Sequence, residues 1–144
     1  MIKHKGDLTK VTKGVVVHGC NAQGVMGSGV AKAVRDTWPE AYAAYKETHV
    51  LRGLKVGDTV SAHINENLVV VNAITQEYYG TDGRLYLSYG GLVECFQEIN
   101  ASFAEYKSLH FPLIGAGLAG GKWEVIKELI EECVTDMELN LWVL

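Results

Sequence analysis

Two glycine-rich stretches hold the residues of this chain best suited to chemistry. The first runs His18-Gly19-Cys20-Asn21-Ala22-Gln23-Gly24-Val25-Met26-Gly27-Ser28-Gly29, directly after the apolar triplet Val15-Val16-Val17. The second runs Ile114-Gly115-Ala116-Gly117-Leu118-Ala119-Gly120-Gly121. His18 has the side chain whose ordinary pKa, near 6.5, suits it to give or take a proton. The alternative is a histidine packed under the loop and bonded to backbone. Asn21 can orient a sugar or an attacking water, or brace its own loop. Ser28 can donate its hydroxyl to an anion and cap the following helix at once. Cys20 reads as a small packing residue. It has no Arg six positions on, so a cysteine-phosphatase loop is absent, and no Asp-x-Asp pair offers an aspartyl-phosphate route. What remains is hydrolysis by activated water, with backbone amides holding the anion.

Such loops work only if strands and helices hold them. Ile2 to Lys5, Lys13 to His18, Thr59 to His63, Leu68 to Ile74, Leu109 to Ile114 and Leu139 to Leu144 read as strands. Helical spacing runs from Ser28 to Trp38, in a short helix opened by Pro39, from Tyr89 to Phe103, and from Trp123 through Ile126, Ile130 and Cys133 to Met137. Alternating strands and helices predict an α/β fold, with a mainly parallel sheet covered on both faces. Both glycine loops then lie where strands end and helices begin, the edge at which α/β sheets bind ligands. Exposed amides and a helix N-terminus favour an anion there. Two such loops facing each other suit a diphosphate.

Gly115, Gly117 and Gly120 also match the Gly-x-Gly-x-x-Gly dinucleotide pattern. That fingerprint opens the first strand–helix–strand unit, however, and here only one strand follows. A nicotinamide oxidoreductase therefore ranks last. Neither loop is a phosphate-binding Gly-Lys-Ser or Gly-Lys-Thr sequence.

Composition narrows the classes further. The length of 144 residues predicts a single domain over residues 1–144. The 16 glycines against 2 prolines exceed the usual glycine share, and the excess collects in the two loops. A formal charge of −4 argues against a general nucleic-acid binder. No apolar run reaches the roughly 20 residues of a membrane span, and the N-terminus does not read as a signal peptide. Three scattered cysteines without metal spacing suit a reducing compartment. The expectation is a cytoplasmic monomer with no metal, no cofactor and no membrane partner.

The ordered motifs resemble the macrodomain family over nearly the whole chain. Gly6-Asp7-Leu8 is similar to the family's Gly-Asp-Ile element, and Asn21 to the last Asn of its Asn-Ala-Ala-Asn stretch. Gly27-Ser28-Gly29-Val30-Ala31 and Ile114 to Gly120 are similar to its two phosphate loops. The resemblance implies a three-layer α/β/α fold with a mixed, mainly parallel central sheet. It also implies an ADP-ribose site. Asp7 and Leu8 would meet adenine, and Asn21 the distal ribose. Gly27, Ser28, Gly29, Val30, Ile114, Gly115, Ala116, Gly117 and Leu118 would hold the diphosphate.

The segment from His18 to Gly24, with Trp38-Pro39 and Trp142-Val143-Leu144, resembles the yeast-type ADP-ribose 1″-phosphate phosphatases and the related ADP-ribose-glutamate hydrolases. Gln76 and Ala119 stand where the latter carry Lys and Asp, which favours phosphatase chemistry or simple binding. Activity on ADP-ribose 1″-phosphate, with His18 and Asn21 catalytic, is the leading expectation. A non-catalytic reader is the second, and a hydrolase acting on ADP-ribosylated protein or nucleic acid is the third.

Overall fold

The computed structural model describes residues 1–27 and 29–144. Ser28 lies outside the described residues, so its predicted hydroxyl contact is not placed. The chain runs β1 (Ile2–Lys5), a 3₁₀ turn (Leu8–Lys10), β2 (Gly14–Asn21), α1 (Gly29–Thr37), α2 (Pro39–Arg52), β3 (Thr59–His63), β4 (Leu68–Gln76), α3 (Tyr89–Phe103), β5 (Ser108–Phe111), α4 (Trp123–Cys133) and β6 (Glu138–Val143). A further 3₁₀ turn, Ala104–Tyr106, links α3 to β5.

The six strands form one sheet in the order β1-β6-β5-β2-β4-β3. Every neighbouring pair is parallel except β3 with β4. The antiparallel pair follows from the short Asn65-Glu66-Asn67 turn, which leaves no room for a crossover helix. β2 and β4 sit centrally, and their near-continuous apolar runs are buried on both faces.

Alternation along β2 sorts the layers. Val15 and Val17 pack with Leu92, Phe96 and Ile99 of α3 and Ile126 and Ile130 of α4. Val16 packs the other way, against Val34 of α1 and Trp38 and Ala41 around the start of α2. The result is the three-layer α/β/α arrangement the motifs implied.

Several boundaries differ from the periodicity. The strand expected to end at His18 continues through Asn21, where it still pairs with β4, so Gly19, Cys20 and Asn21 belong to β2 rather than to the loop. The helix opened by Pro39, expected to be short, runs 14 residues. The strand expected through Ile114 ends at Phe111, because Pro112 has no N–H for the ladder. The last helix, expected to reach Met137, stops at Cys133, where the Val134 N–H closes on the Ile130 carbonyl. Met137 still falls in the core, so its apolar character reflects burial rather than helix. Among the described residues no helix is long and apolar enough to cross a membrane.

β2 and β5 are neighbours, yet the chain leaves them toward opposite faces, to α1 from one and α4 from the other. Their loops must part at this point and leave a crevice between them. The fold thus places the two glycine loops as opposing walls.

Candidate functional site

A cleft of about 1090 Å³ occupies that crevice. Its walls include Asn21 at the end of β2, Val25 and Gly27 from the first loop, Gly29, Val30 and Ala31 from the start of α1, and Pro112 to Ala119 from the second loop. His18, Gly19 and Cys20 of β2 and Gln76 of β4 line its base, and Trp142 to Leu144 close one end. No Lys, Arg, Asp or Glu is among these lining residues. An anion here would meet backbone N–H groups, including those of the first turn of α1, which lack helical partners. A second pocket, about 420 Å³ beside Lys13, Glu66 and Glu105, lies at the opposite edge of the sheet.

Some glycines of the walls are required by the fold and others are not. Gly115 has φ of +77°, and a β-carbon there would sit 3.0 Å from the Leu87 side chain. Gly121 has no room for a β-carbon, which would lie 2.6 Å from the Gly115 carbonyl oxygen. Gly120 and Gly121 are thus packing residues under the second loop, away from the cleft. Gly117 differs. A β-carbon on it would meet nothing among the described residues within 4 Å, and its φ is not positive. Its missing side chain opens space in the cleft without serving the fold.

Helix α2 holds the first loop from behind. The Tyr45 hydroxyl, fully buried, lies 2.6 Å from the Asn21 carbonyl oxygen and 3.0 Å from its Oδ1. Asn21 Oδ1 also accepts from the Gln23 N–H at 2.9 Å, and its Nδ2 donates to the Val25 carbonyl at 2.8 Å. Lys46 Nζ donates to the Gly24 carbonyl at 3.1 Å. Asn21 therefore braces its loop, with one Nδ2 hydrogen engaged and the side chain on the cleft wall. The second loop is fixed by Tyr86 and Leu87, whose N–H groups donate to the Ala119 carbonyl at 2.8 and 3.0 Å.

His18 is 1 % exposed and points into the layer beneath α2. Its Nε2 lies 2.6 Å from Asn72 Oδ1. Asn72 Nδ2 donates to the carbonyls of Ala41 and Val60, both at 3.0 Å, so its oxygen faces the ring. His18 Nε2 therefore carries the hydrogen and donates it. Burial pushes the imidazole down from 6.5 to about 4, against a smaller upward pull from Asn72. The ring is neutral at neutral pH, and its N–H is already committed. Burial pushes the Cys20 thiol well above its ordinary range, which removes it as a nucleophile.

Asp7 and Leu8 are not among the residues lining the cleft. Asp7 accepts from the Thr9 N–H at 2.9 Å and hydroxyl at 2.7 Å, capping the 3₁₀ turn, and these bonds hold its carboxyl below the usual range. The Leu8 side chain belongs to the core with Val16 and Trp38. The turn does reach the Trp142 end: the Gly6 N–H donates to the Val143 carbonyl at 2.7 Å, and a β-carbon on Gly6 would touch the Trp142 ring at 3.4 Å. Tyr79 lines the cleft rim, whereas the exposed Tyr78 does not.

Sequence reasoning missed Asn72, Tyr45 and the bulge at Thr75. The signal for Asn72 was a lone amide inside Val69-Val70-Val71-Asn72-Ala73-Ile74, since a buried polar group needs a partner. Register shows the bulge: Cys20 pairs with Ile74 and Asn21 with Gln76, skipping Thr75. Among the described residues no cluster of His, Cys, Asp and Glu has the makings of a metal site.

A cleft built of two glycine loops at the divergence of β2 and β5 fits the family pattern. The Macro domain family matches residues 17–130. The chain belongs to that family. It is 29% identical over 135 residues to an uncharacterized 17.5 kDa protein of Enterobacteria phage T4, across 86% of this chain and 82% of that one. It is 24% identical over 143 residues to a DNA ADP-ribosyl glycohydrolase of Thermus aquaticus, across 96% of this chain but only 39% of that protein's length. A shorter stretch of 43 residues is 44% identical to an ADP-ribose 1″-phosphate phosphatase of Neosartorya fischeri, across 29% of this chain and 22% of that one. Among solved structures, a Bacteroides thetaiotaomicron protein of unknown function superposes with a TM-score of 0.89 at 29% identity, covering 99% and 97% of the two chains. The fold also matches Thermosipho africanus DarTG in complex with ADP-ribose, with a TM-score of 0.80 at 19% identity, over 99% of this chain and 42% of that one.

Proposed function

We propose that the chain binds ADP-ribose and its derivatives in this cleft and hydrolyses the phosphomonoester of ADP-ribose 1″-phosphate. The observation that carries the binding part is Gly117: a glycine the fold does not require, on a wall without charged side chains. Its backbone can approach a diphosphate closely, opposite the first turn of α1. Adenine is assigned to the Trp142 end beside the Asp7 turn, and the distal ribose to Asn21 and the base of the cleft.

The proposed reaction adds water across the phosphorus–oxygen bond. The ribose oxygen leaves with a proton, and inorganic phosphate forms. Asn21 is the side chain offered to the ribose or the water, through the Nδ2 hydrogen not held by Val25. His18 contributes by holding the floor of the site with Asn72. Its neutral ring and committed N–H do not suit it to protonate the leaving oxygen near neutral pH.

A second reading rests on a separate observation. The relatives named DNA ADP-ribosyl glycohydrolase match along most of this chain, whereas the phosphatase match covers a short stretch. Removal of ADP-ribose from a macromolecule is therefore the alternative, followed by binding without turnover.

A phosphate-release assay on ADP-ribose 1″-phosphate separates the readings. The phosphatase predicts release in the wild type, a fall of at least about tenfold in Asn21→Ala, and a preserved reaction at neutral pH in His18→Gln. Tight ADP-ribose binding with no phosphate released sinks the phosphatase and leaves the alternatives. ADP-ribosylated DNA offered to the same preparation then distinguishes the glycohydrolase from the reader.

A further inference from the structure

Trp142, at one end of the cleft, is held by two histidines that the binding site does not use. The His4 ring stacks on the indole, with centroids 4.3 Å apart and planes 14° from parallel. The indole Nε1–H donates to His110 Nδ1 at 2.9 Å.

The two histidines respond differently to a proton. Indole nitrogen only donates, so His110 Nδ1 must offer a lone pair. Its hydrogen then sits on Nε2, which faces the Ser108 hydroxyl at 3.3 Å. His4 Nε2 faces Asn140 Oδ1 at 2.8 Å, and Asn140 Nδ2 is turned toward the carbonyls of Leu109 and Glu138. His4 is therefore the donor in that bond, a role that neutral and cationic imidazole both fill. A proton on His110 instead sets one donor against another.

We propose that His110 is a positioning residue, fixing Trp142 as the wall on which the planar ring of the ligand packs, and that protonation of His110 releases that wall. The proposal rests on the ADP-ribose reading.

The groups facing His110 are His4 from β1, Glu138 from β6 and the backbone of Lys13 before β2. Burial lowers its pKa most and the neighbouring His4 adds to this, while Glu138 and the Lys13 backbone oppose. His110 is therefore neutral at neutral pH. Binding weakens only as pH falls through a value below the ordinary 6.5.

The test is ADP-ribose calorimetry on the full chain at about pH 7.5 and, stepwise, down to about pH 4.5, because burial moves the change of charge below that of an ordinary histidine. Loss of a stacking wall predicts roughly tenfold weaker wild-type binding at the lowest pH. His110→Asn places an amide oxygen where Nδ1 stood and does not titrate. It is expected to rescue binding at neutral pH and to bind equally at every pH. His110→Ala is expected to bind weakly throughout. Tryptophan emission without ligand should shift on acidification in the wild type and not in His110→Asn.

A pH-independent wild type overturns the proposal. So does an acid loss that persists in His110→Asn, which would assign it to another group such as His18, or wild-type binding by His110→Ala. Absence of heat at every pH overturns the ADP-ribose reading itself, and the emission shift then still decides whether the clamp exists.

Discussion

A Gly117→Glu variant folds like the wild type and no longer binds ADP-ribose. The expectation rests on two independent features of one residue. A β-carbon at Gly117 meets nothing among the described residues within 4 Å, and the backbone there has no positive φ. Stability should therefore change by no more than about 0.5 kcal/mol, the usual range for a surface substitution. The new carboxylate, however, stands on a wall that the proposed diphosphate must approach, with no cation among the lining residues to screen it. Like charges brought together in this way cost several kcal/mol, so affinity should fall by more than about a hundredfold. Calorimetry with ADP-ribose and a thermal melt read the two effects separately. Gly115→Ala is the contrast, since its φ of +77° and the nearby Leu87 side chain make that substitution a strain on the fold itself. A Gly117→Glu protein that binds normally would place the ligand elsewhere.

The second large effect is on stability against pH. His18 is pushed down from 6.5 to about 4 by burial. Between those values the unfolded chain takes up a proton at His18 and the folded chain does not. Unfolding therefore gains free energy as pH falls, and the native state weakens from about pH 6.5 until the loss is complete near pH 4. The shift corresponds to roughly 3 kcal/mol from this one group. Urea unfolding across that window measures it. His18→Gln keeps a donor toward Asn72 without a titrating ring, so it should start less stable at neutral pH and show a flatter profile. The exposed carboxyls of Asp7, Asp36 and Asp82 are lowered instead, so their contributions are lost only below the ordinary carboxylate value of 3.8. They do not explain a loss that begins near pH 6.5, to which His110, also lowered by burial, adds in the same direction. A wild-type profile as flat as that of His18→Gln would contradict the buried, neutral ring.

Much of the frame was legible in the sequence, because the features that carry it are local. Val15-Val16-Val17 and Leu68 to Ile74 announce central strands by their mostly apolar character, whereas the loop read from Gly19 begins only after Asn21, because Gly19, Cys20 and Asn21 continue β2 against β4. Ends were less legible where apolar residues continue past an element, as at Ile114 and Met137. The site was legible as loops but not as a bonding pattern. That Asn21 is tied to Tyr45 depends on residues 24 positions apart, and that His18 is tied to Asn72 on residues 54 apart. Neither pairing leaves a local trace beyond an amide in an apolar strand. Asp7 shows the same limit in reverse. Its Asp-Leu-Thr sequence reads equally as a ligand contact and as a turn cap, and the turn cap is what its side chain forms here.

The acidic chain and the anionic ligand are reconciled at the same place. A charge of −4 would repel a diphosphate held by side-chain contacts, but the described cleft walls offer backbone N–H groups and no acidic side chain. The anion is thus held by backbone amides if ADP-ribose occupies this cleft. Amide NMR reads them one by one during an ADP-ribose titration. The largest shifts are expected at Gly27, Val30 and Ala31 on one wall and at Gly115 to Leu118 on the other, with Lys13, Glu66 and Glu105 unmoved. Shifts centred on the latter group, or no shifts at saturating ADP-ribose, would contradict this placement.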